Sequence, residues 1–124
     1  MTAIKGVVVG HGALAAALIR AVEQISGASS GLVPISNTDC DRGALEQRIL
    51  DAATPGPAIV FIDMPSGSCH FAAMHRIQSM PEMRIVTGVN LAMLLEFVFH
   101  REGDVDAVAA HVAETGARAV VTRP

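Results

Sequence analysis

Short apolar runs rich in β-branched residues alternate with segments of helical apolar spacing along this chain of 124 residues. Runs such as VVVG and AIVFI lack the polar alternation of a half-exposed strand, so they predict strands buried on both faces. One run, GLVPIS, contains Pro34, which cannot donate a ladder hydrogen bond and therefore favours an edge strand. The predicted strands cover residues 4–10, 31–36, 57–63, 83–88 and 117–122.

Helices are predicted between these strands, over residues 13–26, 38–53, 69–80, 91–101 and 105–115. Asp41, Asn90 and Asp104 are predicted N-caps, and Gly116 is predicted to end the last helix. Strands that alternate with helices indicate an α/β fold with an open, mostly parallel, doubly wound sheet. We expect strand order 2-1-3-4 plus a C-terminal antiparallel strand, and one domain over residues 1–124.

Composition excludes several classes of protein. The net charge is −3, and no basic stripe or arm is visible, so we expect no nucleic-acid partner. No apolar run reaches the roughly 18 residues of a membrane span, and the N-terminal stretch is too interrupted for a signal peptide. Two cysteines in no metal or disulfide spacing indicate a reducing, cytoplasmic location. An apolar share of 51% in a small chain favours self-association.

The segment VVVGHGALAAAL places His11 between two glycines at the end of the first strand. Ligands of open α/β sheets bind beyond the carboxyl ends of strands, where the winding direction reverses. For the order 2-1-3-4 that point lies between strands one and three, and strand three ends at Asp63. The sequence therefore predicts that His11 and Asp63 meet at this edge of the sheet.

A histidine in this place is suited to accept a phosphoryl group. The N-terminus of the following helix favours an anion and disfavours a protonated ring, and Asp63 would fix the tautomer. The loop MPSGS adds the hydroxyls of Ser66 and Ser68, and we expect Gly12, Ser66 and Gly67 to help hold phosphate oxygens without a metal or cofactor. Position alone also fits an ordinary polar loop histidine. GHG is not a dinucleotide fingerprint, and no Walker sequence is present.

Three segments, VVVGHGALAAALIRAVEQISG, AIVFIDMPSGSCHFAAMHRI and IVTGVNLAMLLEFVFHR, resemble the enzyme IIA domain of the mannose family (mannose, fructose and sorbose type) of the bacterial phosphotransferase system. The resemblance implies a phosphotransferase component that accepts a phosphoryl group from the phosphocarrier HPr on His11. It implies transfer to a separate enzyme IIB, with membrane contact only indirectly through permease subunits. It also implies that Asp63 bonds the opposite ring nitrogen and that Ser68 lies by the phosphoryl group. Family members are homodimers that exchange a C-terminal strand, here ARAVVTRP.

The sequence departs from the family pattern at two places, and these departures bear on the identity of the partner protein more than on the phosphorylation of His11. Gly10 stands where the family commonly has threonine, and SGSCHF at 66–71 stands where it commonly has Gly-Gly-Ser-Pro-Phe-Asn. We expect Cys69 to be a packing residue, although a helix start can also lower a thiol pKa. His70 is expected to be a partly exposed residue at the helix start.

Three other functions remain open from the sequence. A lone domain with an altered loop fits a regulatory module whose phosphorylation state controls a protein partner. A phosphoryl donor for dihydroxyacetone kinase would use the same fold. A small-ligand binding module would use no phosphoryl chemistry.

Overall fold

The computed structural model describes residues 3–124 and shows a four-stranded, all-parallel sheet in the order β2-β1-β3-β4. The predicted order 2-1-3-4 and the α/β class are confirmed. The strands are β1 Lys5–Gly10, β2 Val33–Ser36, β3 Ala58–Ile62 and β4 Met83–Thr87. The helices are α1 Leu14–Ser26, α2 Arg42–Ala53, α3 Ser68–Ile77, α4 Leu91–Phe99 and α5 Val105–Arg118.

Helices cover both faces of the sheet, which explains why its central strands are continuously apolar. All five residues of β3 and the three valines of β1 are fully buried. On one face Phe61 packs edge-on against Phe97 of α4, with ring centroids 5.1 Å apart. On the other face Val60 packs in a second cluster with residues of α2 and α3. The edge strand β2 contains Pro34, as predicted.

Three helices begin at the predicted caps. The carboxylates of Asp41 and Asp104 and the amide oxygen of Asn90 each accept a hydrogen bond from the backbone N–H three residues later. The distances are 2.8, 3.0 and 2.9 Å respectively. Each cap satisfies an N–H group that the first helical turn leaves free.

The C-terminal end differs from the prediction. Helix α5 continues through Gly116 to Arg118, and residues 119–124 form no strand in the single chain that the structure describes, so the predicted strand over 117–122 is wrong there. Gly116 is buried, and a Cβ atom at that position would lie 2.6 Å from Cε of Met93. The glycine therefore permits close packing of α5 on α4 instead of ending the helix. Exchange of the C-terminal segment in a dimer stays a prediction.

None of the helices within residues 3–124 has both the length and the apolar character that a membrane crossing requires.

Candidate active site

His11 and Asp63 lie together at the carboxyl edge of the sheet. His11 follows the last residue of β1, and Asp63 follows the last residue of the neighbouring strand β3. The Nδ1 atom of His11 lies 2.6 Å from Oδ2 of Asp63, within hydrogen-bond distance. The predicted juxtaposition is therefore present, and it arises because adjacent parallel strands end at the same edge.

The same carboxylate oxygen also holds the backbone of His11. Its backbone N–H donates to Oδ2 of Asp63 over 3.0 Å, so one acceptor positions both the loop and the ring. A carboxylate accepts hydrogen bonds, so in the neutral form of the ring this contact places the proton on Nδ1 and leaves a lone pair on Nε2. The His11 side chain is 45% exposed, whereas that of Asp63 is only 9% exposed. The imidazole is thus accessible, and its orienting group is shielded from water.

The start of α3 lies next to the outer ring nitrogen. The hydroxyl oxygen of Ser68, the first residue of α3, lies 3.4 Å from Nε2 of His11. A Cβ atom on Gly67 would lie 3.8 Å from Cε1 of His11, and the φ of Gly67 is +91°, which disfavours any other residue. The free N–H groups of the first turn and the positive end of the helix dipole favour an anion here. A group bonded to Nε2 would therefore face donors suited to phosphate oxygens.

The glycine after His11 is fixed by the end of β2. The N–H of Gly12 donates to Oδ1 of Asn37 over 3.2 Å, and the hydroxyl of Ser36 donates to the carbonyl of Gly12 over 2.8 Å. Gly12 has a φ of +59°, so the turn needs glycine. These contacts give Gly12 a role in shaping the loop, and phosphate binding by its N–H stays a prediction. Sequence reasoning missed Ser36 and Asn37, although β2 ends at the same edge of the sheet.

The other predicted loop residues are less closely joined to the ring. Ser66 is exposed, and no hydrogen bond among residues 3–124 links it to His11. Its predicted contact with phosphate oxygens stays a prediction. His70 is partly exposed in the first turn of α3, as expected.

Cys69 is both a packing residue and a neighbour of the imidazole. It is fully buried in the cluster beneath α3, as expected, but its Sγ atom also lies 3.8 Å from Nδ1 of His11. Burial raises the pKa of the Cys69 thiol, and the negative charge of Asp63 raises it further. The alternative of a thiol activated by the helix start is therefore wrong. Its approach to the ring depends on how α3 packs, which the sequence does not reveal.

One polar atom of the site has no partner. Oδ1 of Asp63 is buried, and no donor among residues 3–124 reaches it. A buried polar atom left without a partner costs about 1–3 kcal/mol. The sequence predicts no metal, yet within the described residues ligand-type atoms of His11, Asp63 and Cys69 all lie within 4.8 Å of one another.

Exposed apolar side chains lie close in sequence to the residues of the site. Leu14 begins α1, Met64 follows Asp63, and Phe71 lies one turn into α3; they are 43%, 44% and 48% exposed. The guanidinium of Arg42 stacks over the Phe71 ring, 4.2 Å from its centroid. Exposed apolar side chains near a polar reactive group are typical of a surface that contacts another protein.

A match to a family profile shows which protein family the chain belongs to. The profile described as "PTS system fructose IIA component" (EIIA-man) matches residues 5–115. The chain belongs to this family. The resemblance to mannose-type enzyme IIA domains is therefore confirmed, and the family consists of components of the sugar phosphotransferase system.

Solved structures share the fold over nearly the whole chain. The mannose/sorbose specific IIA subunit from Enterococcus faecalis is 28% identical, with a TM-score of 0.83 over 99% of this chain and 96% of that one. Component EIIA from Streptococcus agalactiae is 20% identical, with a TM-score of 0.88 over 96% of each chain. A IIA protein associated with the fucose utilization operon of Streptococcus pneumoniae is 17% identical, with a TM-score of 0.73 over 98% of this chain and 96% of that one. The last two show the fold alone. Among curated proteins, none matches the chain.

Proposed function

We propose that this chain is a phosphohistidine relay protein of the phosphoenolpyruvate-dependent sugar phosphotransferase system. It accepts a phosphoryl group from HPr on Nε2 of His11 and passes it to a separate enzyme IIB. It works in the cytoplasm as a homodimer, with residues 1–124 as one domain, and reaches the membrane only through permease subunits. Membership of the IIA family supports the class of reaction.

The observation that carries the proposal is the 2.6 Å contact between Nδ1 of His11 and Oδ2 of Asp63. With Nδ1 protonated, the lone pair of Nε2 attacks the phosphorus atom of the donor phosphohistidine. The new P–Nε2 bond forms as the donor P–N bond breaks, and the electron pair of that bond returns to the donor nitrogen. Asp63 stabilises the positive charge that the His11 ring acquires, and the proton stays on Nδ1.

Ser68 and the first turn of α3 serve the transferred group. They face the outer nitrogen, where the three phosphoryl oxygens carry the negative charge. Leu14, Met64 and Phe71 supply the contact with protein partners, which have to bring a phosphohistidine against Nε2. The same surface serves HPr and enzyme IIB in turn, since both reactions occur at one nitrogen.

The test is phosphorylation by phosphoenolpyruvate, enzyme I and HPr, followed by intact-mass measurement. We expect one phosphate per chain, stable in alkali and lost in acid, that is absent from His11→Ala. His111→Ala is the matched control, because His111 lies in α5, where its Nε2 atom contacts Glu96 instead of a residue of the site. Equal labelling of His11→Ala and the wild type would contradict the proposal.

A further inference from the structure

We propose that His11, Asp63 and Cys69 form a binding site for a soft divalent transition-metal cation such as Zn²⁺, and that the metal and the phosphoryl group exclude each other. The second half of this inference rests on the proposed phosphorylation of His11. The three side chains come from the ends of β1 and β3 and from the first turn of α3. Their ligand-type atoms lie within 4.8 Å of one another.

The donor set selects the class of cation. One imidazole nitrogen, one thiolate and one carboxylate oxygen suit Zn²⁺ and related transition metals, whereas Mg²⁺ and Ca²⁺ prefer oxygen ligands alone. Three protein ligands leave the fourth tetrahedral position to water, and the exposed side of the His11 ring provides a route of entry.

The unpartnered oxygen of Asp63 is a second, independent observation. Oδ1 is buried and has no donor among residues 3–124, on a side chain that is nine-tenths buried. Oδ2 already accepts the backbone N–H of His11, so it can keep that bond while Oδ1 turns to a cation. A metal ion would therefore satisfy the one buried polar atom of the site that the described part of the chain leaves unsatisfied.

The distances need only a small adjustment. Ligand bonds of about 2.3 Å to sulfur and about 2.0 Å to nitrogen, at a tetrahedral angle, separate the two ligand atoms by about 3.5 Å. The Sγ atom of Cys69 lies 3.8 Å from Nδ1 of His11. The 2.6 Å contact between Nδ1 and Oδ2 has to open, because the metal takes the place of the Nδ1 proton and Oδ1, not Oδ2, becomes its oxygen ligand.

Metal binding at Nδ1 removes the nucleophile. A neutral imidazole that gives its Nδ1 lone pair to a metal carries its proton on Nε2, so Nε2 has no lone pair for phosphorus. The proton balance is simple: the ring proton moves from Nδ1 to Nε2 through solvent, and the thiol releases one proton to solvent. The bound cation and the phosphorylated ring are therefore alternative states of one histidine.

Absorption spectroscopy with Co²⁺ as the probe tests the site directly. We expect the wild type to show a thiolate-to-cobalt charge-transfer band together with the visible bands of a four-coordinate ion, and Zn²⁺ to displace both. Cys69→Ala and Cys69→Ser, each confirmed as folded by circular dichroism, should lose the charge-transfer band. Cys40→Ala is the matched control and should keep it. A wild type without this band, or a band that persists in both Cys69 variants, overturns the site.

A second measurement tests the exclusion. HPr is phosphorylated first and freed of enzyme I, and the labelling of His11 is then followed with increasing Zn²⁺. We express inhibition relative to the metal-free labelling rate of each protein, and expect half-inhibition of Cys69→Ser to need at least a tenfold higher Zn²⁺ concentration than half-inhibition of the wild type. Equal inhibition of the two proteins overturns the exclusion. If metal-free wild type is not labelled at all, the proposed function fails, while the cobalt spectrum still decides the metal site.

Discussion

Replacing Asp63 by asparagine is the sharpest test of how the carboxylate acts on His11. One oxygen, Oδ2, accepts both the backbone N–H and the Nδ1–H of His11, over 3.0 and 2.6 Å. If the Asn side chain placed its NH2 group at the position of Oδ2, this hydrogen-bond donor would face two other donors, the backbone N–H and the Nδ1–H of His11. The backbone N–H cannot reverse, so the amide oxygen should take the place of Oδ2. The ring then keeps its proton on Nδ1, and Asp63→Asn removes the charge without changing the tautomer.

The loss of transfer rate in Asp63→Asn distinguishes an unchanged tautomer of His11 from a reversed one. A hydrogen bond to a charged group is worth about 1.5–3 kcal/mol and a neutral one about 0.5–1.5 kcal/mol, so the variant loses about 1–1.5 kcal/mol of support for the positive ring. That corresponds to phosphoryl transfer roughly tenfold slower. A reversed tautomer would instead put a proton on the reacting nitrogen, a change that costs a catalytic histidine about 10⁴-fold.

Rapid-quench measurement of transfer from phosphorylated HPr gives the rate, and ¹⁵N shifts of the ring locate the proton at a pH at which the ring is neutral. We expect roughly a tenfold loss of rate and a proton on Nδ1 in both proteins. Asp63→Ala is the comparison, since it removes the acceptor for both N–H groups and should be slower than Asp63→Asn. A loss above about 10³-fold with the proton on Nε2 would refute the argument that the backbone N–H orients the amide.

Four further predictions concern the scaffold. Gly6→Ala should lower the free energy of unfolding by about 1–3 kcal/mol, because its Cβ would lie 2.4 Å from Leu32 and 2.5 Å from Phe97. Gly10→Ala, whose Cβ would meet its nearest atoms at 3.6 Å, should instead be neutral or stabilising by about 0.4–1 kcal/mol in the same urea titration. Arg101→Ala should cost about 2–4 kcal/mol, since the guanidinium donates to the carbonyls of Ile4 and Ser30 over 3.0 and 2.7 Å; an unchanged urea midpoint would contradict this. The hydrogen bond from His111 holds the pKa of Glu96 below its usual range. Its stabilisation is therefore present above the ordinary carboxyl pKa and lost as the pH falls through the folded-state value, so Glu96→Gln should lose less stability on acidification than the wild type does.

The sequence predicted those features that follow from local patterns and from the rule for parallel sheets. Buried strands, three side-chain caps and the meeting of His11 with Asp63 all belong to this group. The features it did not predict depend on packing between distant segments. Glycine is typical of helix ends, but Gly116 lies inside α5, where its lack of a side chain allows close contact with Met93. The helix therefore continues to Arg118. The thiol of Cys69 reaches the imidazole only because α3 packs closely over β3.

The geometry of the site separates two opposing electrostatic demands. A phosphorylated imidazole needs a negative neighbour for its ring and positive or donor groups for its phosphoryl oxygens, and a single environment cannot favour both. Here the carboxylate of Asp63 faces Nδ1, while Ser68 and the N-terminus of α3 face Nε2 on the other side of the ring. The two nitrogens of the His11 ring therefore lie in electrostatic fields of opposite sign. The residue after β3 supplies the negative field at Nδ1, and the start of α3 supplies the positive field at Nε2. Moving either group to the other nitrogen would oppose the charge that the proposed phosphoryl transfer places there. The proposed transfer therefore requires that the carboxylate after β3 and the start of α3 lie on opposite sides of the ring.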